Sequence, residues 1–190
     1  MGTAEVETRR CGEVWGTRCR AIVVGPDWSH GSHPTPLRLR ATATSPDTDP
    51  ALLWHLSTHA DEITRAALAR NPGASRRILH RLSRDESQSV RQTIAHNPRA
   101  GRVILRRLAA DPKLWVRDGV VQNSEVYPQL LDQLADDEVA WVREGVAKHP
   151  VTGPDTLARL VTDPHPMVRQ AALENPNLPR HLQLLGAALG

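Results

Sequence analysis

From residue 53 onward, apolar positions fall into two alternating kinds of short stripe. In the first, two apolar residues stand four apart: Val90 and Ile94, Val116 and Val120, Val142 and Val146. That spacing puts both on one face of a helix. In the second, Leu and Ile cluster more tightly: Ile78, Leu79 and Leu82; Ile104, Leu105 and Leu108; Leu130, Leu131 and Leu134; Leu157 and Leu160. Neither stripe is long enough to hold a helix by itself in water. Both return every 26 residues, carried by one phrase. It reads Val90-Arg91-Gln92-Thr93-Ile94-Ala95-His96-Asn97-Pro98 and comes back from Val116, Val142 and Val168, with a weaker copy from Thr64. A fixed period of this size is the signature of a solenoid, in which each unit buries its stripe against the next.

Punctuation predicts two helices per unit. Asp85, Asp111, Asp137 and Asp163 stand at one position of the period and suit a helix N-cap. Pro112 and Pro164 then fall at the first helical position. Asn71, Asn97, Asn123 and Asn175 close the helix, a place where Asn tolerates the left-handed conformation, and His149 replaces it once. The predicted organisation is a degenerate half-repeat over 36–52, five units over 53–181 starting at Leu53, and a closing fragment over 182–190. Residues 1–35 do not fit the period. The stretch Val14–Val24 is rich in strand formers and predicts a hairpin or an irregular extension. No alternating strand pattern occurs between 53 and 185, so the fold class is all-α.

The order Val-Arg-x-x-Val-Ala-x-Asn-Pro, then Leu-x-x-Leu-Ala, then Asp, resembles the leucine-rich repeat variant family over about residues 50–185. It is also similar to the wider HEAT-like group, which shares an Asp followed six residues later by Arg. The resemblance implies a right-handed solenoid of alternating α- and short 3-10 helices without strands. Some family members carry an N-terminal iron–sulfur cluster, which would need four thiolates. This chain offers Cys11 and Cys19 only, so the cluster is not carried over and no cofactor is expected.

Composition narrows the function classes. There is no run of about 18 apolar residues, so no membrane span is expected. The first twenty residues lack the apolar core of a secretory signal, and two cysteines suit a reducing compartment, so a cytoplasmic location is expected. Arginine outnumbers lysine 22 to 2, as a GC-rich bacterial coding bias would produce. Charge is split: residues 61–110 hold eleven Arg against four carboxylates, whereas 111–190 hold eleven carboxylates against seven basic residues. Such a split steers an acidic partner to the first half, or marks only a solvated surface.

Four groups are candidate sites. The column Arg65, Arg91, Arg117, Arg143 and Arg169 would line an anion track, or form an internal ladder with Asp85, Asp111, Asp137 and Asp163. Residues six apart on one helix lie about 120° off the same face. A bond to the next repeat's Asp is therefore the natural one, and the ladder is the favoured reading. The position before each Val reads Ile63, Ser89, Trp115, Trp141 and Met167, so Trp115, Trp141 and Met167 are candidate partner contacts. Gly119 and Gly145 follow the two Trp by four residues, which suggests instead that Trp fills space left by Gly. The basic group Arg76, Arg77, Arg81, Arg84, Arg102, Arg106 and Arg107 suits nucleic-acid phosphates. Cys11, Cys19, His30 and His33 have zinc-ligand chemistry at a spacing that matches no established pattern, and no metal site is assigned. No catalytic constellation is legible. The expectation is a non-enzymatic scaffold for a protein partner; the alternative is nucleic-acid binding through the basic surface of 61–110.

Overall fold

A computed structural model describes residues 36–58 and 61–189. Twelve helices and no strand occur among the described residues. They form six pairs: α1 (Pro36–Thr44) with α2 (Pro50–Leu56), α3 (Glu62–Arg70) with α4 (Arg76–Leu82), α5 (Gln88–Ala95) with α6 (Gly101–Leu108), α7 (Leu114–Val121) with α8 (Pro128–Leu134), α9 (Ala140–Lys148) with α10 (Pro154–Leu160), and α11 (Pro166–Glu174) with α12 (Arg180–Leu189). The expected half-repeat and closing fragment fall in the first and last pairs, because a cut at Leu53 lies inside α2. The hairpin expected over Val14–Val24 and the Cys11, Cys19, His30 and His33 group lie outside the described residues.

The first helices of the pairs pack side by side, α1 on α3, α3 on α5 and so on to α11. Each second helix packs mainly on the first helices flanking it. The first layer is thus more closely spaced than the second. Between the layers runs one continuous core. Val90, Ile94, Val116, Val120, Val142 and Val146 come from the first layer and Leu79, Leu105, Leu131 and Leu157 from the second, all buried. Burial of each such side chain is worth about 1.5–3 kcal/mol. The stripes that could not hold single helices hold the stack.

Three local expectations need correction. The second helices are α-helical over seven or eight residues at α4 and α6, not 3-10. Leu79 N–H donates to Ser75 O and Ala109 N–H to Leu105 O, both four residues back. Ile78 and Leu82 must both reach the core, and residues four apart share a face at the α pitch. The ladder aspartates are not the N-caps of α5, α7, α9 and α11; Ser87, Lys113, Val139 and His165 hold those places. Each Asp instead accepts the N–H two residues on, at 2.8–3.0 Å, closing a turn before the helix starts. Pro112 and Pro164 lie in these turns.

Two of the asparagines are likewise shown not to be left-handed. Asn71 and Asn175 end their helices in extended backbone, at φ −68° and −71°. Their role is to tie repeats together. Asn71 Nδ2 donates to Ala43 O and Ser45 O at 2.7 and 2.9 Å, and Asn123 Nδ2 to Ala95 O and Asn97 O at 2.5 and 3.0 Å. Asn175 repeats this on Ala147 and His149, and Asn97 bonds Ala69 O. A buried carboxamide thus satisfies the last carbonyls of the previous first-layer helix.

Candidate functional site

The Arg and Asp columns meet across repeats. Arg65 Nε donates to Asp85 Oδ2 at 2.6 Å, Arg91 to Asp111 at 2.7 Å, Arg117 to Asp137 at 2.6 Å and Arg143 to Asp163 at 2.7 Å. Nη2 reaches the second carboxylate oxygen in each pair, a bidentate fork. Nη1 of Arg91, Arg117 and Arg143 donates to the carbonyl of its own repeat's Asp at 2.7–2.8 Å. Glu86 and Glu138 add an outer contact to Arg65 and Arg117. The hydrogen bond to Asp163 raises the Arg143 pKa, and that from Arg143 holds the Asp163 carboxyl below its ordinary value. These guanidinium groups are turned into the stack. Arg169 ends the series: it holds Asp163 O and Pro164 O, and meets no carboxylate among the described residues.

The column before each core Val lies on the open face of the first layer. Ile63, Trp115, Trp141 and Met167 are each about half exposed, at 51%, 49%, 53% and 50%. The side chain of Trp141 crosses to the preceding helix, where Nε1 donates to Asp118 Oδ1 at 3.2 Å. Gln122 Nε2 donates to the other oxygen at 2.5 Å. Asp118 is only 6% exposed, and burial pushes its carboxyl above the ordinary value, against the opposing pull of Trp141, His96 and Gln122. One repeat on, Glu144 is 8% exposed and is met by Lys148 Nζ at 2.5 Å.

The glycines do not make room for Trp. A methyl at Gly119 would meet His96 Cε1 at 2.8 Å and Ala95 Cβ at 3.0 Å, and one at Gly145 would meet Val121 Cγ1 at 3.2 Å. Gly leaves a seat for side chains of the preceding repeat, His96 and Ala95 at Gly119 and Val121 at Gly145. The indoles are consequently left out on the face. Where the column carries Ser89 in place of a large residue, a groove of about 670 Å³ opens, lined in part by Gln92, His96, Arg70 and Arg99.

The basic group sits on the second-layer helices. Arg76, Arg77, Arg81, Arg102, Arg106 and Arg107 are all exposed. Four of them brace neighbouring repeats. The Arg77 guanidinium lies 4.2 Å over the Trp54 ring and Arg102 4.9 Å over Tyr127. Arg81 and Arg107 donate to Ser57 O and Ser83 O at 3.3 and 3.4 Å.

Sequence reasoning missed Asp118 and Glu144. Both lie three residues after a Trp, one turn along the same helix, and that offset beside an exposed aromatic was the signal available. Among the described residues, no group of three or more His, Cys, Asp or Glu is placed to hold a metal ion, and no helix is long and apolar enough to cross a membrane.

Helix pairs stacked at a fixed period around one core, with an Arg–Asp and an Asn column tying them, define an α-solenoid. The chain is similar to a solved structure described as "a leucine-rich repeat variant with a novel repetitive protein structural motif", at 25% identity and a TM-score of 0.51, over 95% of this chain and 82% of that one. With the repeated phrase and the helical stack, this is a leucine-rich-repeat-variant-like repeat protein. No family model matches the chain, and no curated protein matches it.

Proposed function

We propose that this chain is a non-enzymatic scaffold of the cytosol that holds a protein partner on the open face of its first-layer helices, with Trp115, Trp141 and Met167 as the main contacts. One observation carries the reading. Three large apolar side chains from consecutive repeats stand in register, each about half exposed, on a face that no other part of the described chain covers. Trp is enriched among residues that dominate binding energy, and large apolar side chains left half exposed in register suit a partner surface. The cytosolic part of the proposal rests on the sequence, chiefly on its having only two cysteines.

The test is capture of binding proteins from the source cell by the parent chain, by Trp115→Ala and Trp141→Ala, and by a double Arg76→Glu, Arg106→Glu variant on the other layer. Loss of capture in the Trp variants, with melting temperature kept, supports the proposal. Capture that survives both Trp variants and fails in the Arg variant, with strong salt dependence, would move the function to the basic surface and a polyanionic partner.

A further inference from the structure

We propose that the groove between α3 and α5 holds a phosphorylated side chain of the protein partner, with Arg70, His96 and Arg99 addressing the phosphate. The inference rests on the reading that the first-layer face is the binding face.

The first support is an excess of donors. The groove, about 670 Å³, opens where Ser89 stands in the column that carries Trp115 and Trp141 further on. Arg70, Arg99, His96, Gln92 and Ser89 are among the residues that line it, and no Asp or Glu is. Arg65 and Arg91 of the same two repeats are locked in ion pairs with Asp85 and Asp111. Arg70 and Arg99 are different: both are exposed, and neither side chain meets a carboxylate, a carbonyl or a ring among the described residues. Asp118 on the next first-layer helix does not compete for them, being 6% exposed with its two oxygens bonded to Trp141 and Gln122. A cleft lined by one sign of charge concentrates the opposite ion. His96 is oriented before any ligand arrives. Its Nδ1 donates to Gln92 O at 2.9 Å, and the same edge of the ring packs where Gly119 has no side chain. Nε2 is left as the ring nitrogen that can meet a ligand, and the fixed ring lowers the ordering cost of binding.

The second support is confinement. One period after His96 the face carries Gln122, then Lys148 and Glu174; one period after Arg99 it carries Glu125, then Val151 and Asn177. The basic group is therefore one spot and not a track. A nucleic acid draws its affinity from many phosphates in series, which this face does not match. A phosphorylated side chain puts about −1.5 to −2 charges and three acceptor oxygens in one place at pH 7. Two guanidinium groups, each able to fork onto two oxygens, answer that charge, with Ser89 and Gln92 as further donors. An Asp or Glu side chain brings one charge and two oxygens, and leaves one arginine unanswered. The groove also falls within the range of about 300–1,000 Å³ that holds a ligand larger than a bare ion.

The experiment probes the full chain with degenerate peptide libraries centred on phosphoserine, phosphothreonine or phosphotyrosine, and with matched libraries centred on Ser, Thr, Tyr and Glu. Enriched peptides are titrated by fluorescence anisotropy. The expected result is binding at least tenfold tighter for a phosphorylated peptide than for its unphosphorylated and Glu counterparts. Arg70→Gln and Arg99→Gln each lower that affinity tenfold or more at unchanged melting temperature, and Arg76→Gln on the other layer leaves it as it was. Ser89→Trp, which lays an indole across the groove as Trp141 lies on the helix before it, also abolishes binding. Equal affinity for the Glu peptides would overturn the phosphate assignment, and so would inorganic phosphate binding as tightly as any peptide. Tighter binding of a single-stranded RNA oligonucleotide that depends on Arg70 and Arg99 would replace the phosphopeptide with nucleic acid. No preference for any phosphorylated library, with partner capture still lost in Trp115→Ala and Trp141→Ala, would overturn this inference and leave the broader proposal standing.

Discussion

Arg117 and Asp137, twenty residues apart and in different repeats, form a two-pronged ion pair at 2.6 and 2.9 Å with side chains only 7% and 4% exposed. Removing one partner of such a pair strands the other in a poorly solvated place. Arg117→Ala is therefore expected to cost about 3–5 kcal/mol. Arg169 is the internal control, since it keeps only the backbone carbonyl bonds. Arg169→Ala should cost about 1 kcal/mol. Urea unfolding of the two variants measures the difference, and equal losses would show that the carboxylate fork contributes nothing.

The Asn column makes a second prediction. Asn123 donates to two carbonyls of the preceding repeat and accepts Glu125 N–H at 2.8 Å, at a position 1% exposed. Asn123→Ala leaves these groups unpaired and should cost about 1–3 kcal/mol. His149 holds the same place in the next repeat, where its imidazole Nδ1 accepts Val151 N–H at 3.3 Å and, among the described residues, reaches no carbonyl of the preceding repeat. His149→Asn is expected to restore the tie and raise the melting temperature. A fall on that substitution would mean that the imidazole packs better than the carboxamide bonds.

Asp118 and Asp163 should give opposite pH responses. The folded Asp118 carboxyl lies above its ordinary value of 3.8, chiefly through burial. Its contribution is present below the unfolded value and is lost as pH rises through the folded one. Asp118→Asn should therefore gain on the parent between pH 4 and pH 7. The folded Asp163 carboxyl lies below 3.8, chiefly through the Arg143 hydrogen bond. Its contribution is present above the unfolded value and is lost as pH falls through the folded one. Asp163→Asn should be less stable than the parent at pH 7, with the gap narrowing in acid. Denaturant midpoints across this range decide both signs.

Core and face should separate cleanly. Leu108 is 1% exposed between two repeats, and Leu108→Ala should cost about 2–5 kcal/mol. The half-exposed Met167 should cost under about 1 kcal/mol when changed to Ala, because most of its surface stays in water in either state. Melting curves for the pair check whether the column belongs to the face or to the core.

The sequence by itself determined the architecture. A 26-residue period, with Val and Ile four apart in one half and paired Leu in the other, leaves stacked helix pairs as the one way to bury every stripe. It also pointed to a bond from each Arg to the next repeat's Asp, because residues six apart on one helix do not face each other. Tertiary structure decided what each polar residue does. Asp85 and its counterparts read as N-caps, yet their carboxylates face a guanidinium from the preceding repeat, and the N-cap position falls two residues later. The asparagines read as left-handed stops, yet they bond backward across the stack. Gly119 read as space for Trp115 and holds His96 instead. In each case the partner lies about 20 to 28 residues away in the chain. Local propensity describes what a side chain does for its own backbone, and in a solenoid the neighbouring repeat competes for the same atoms.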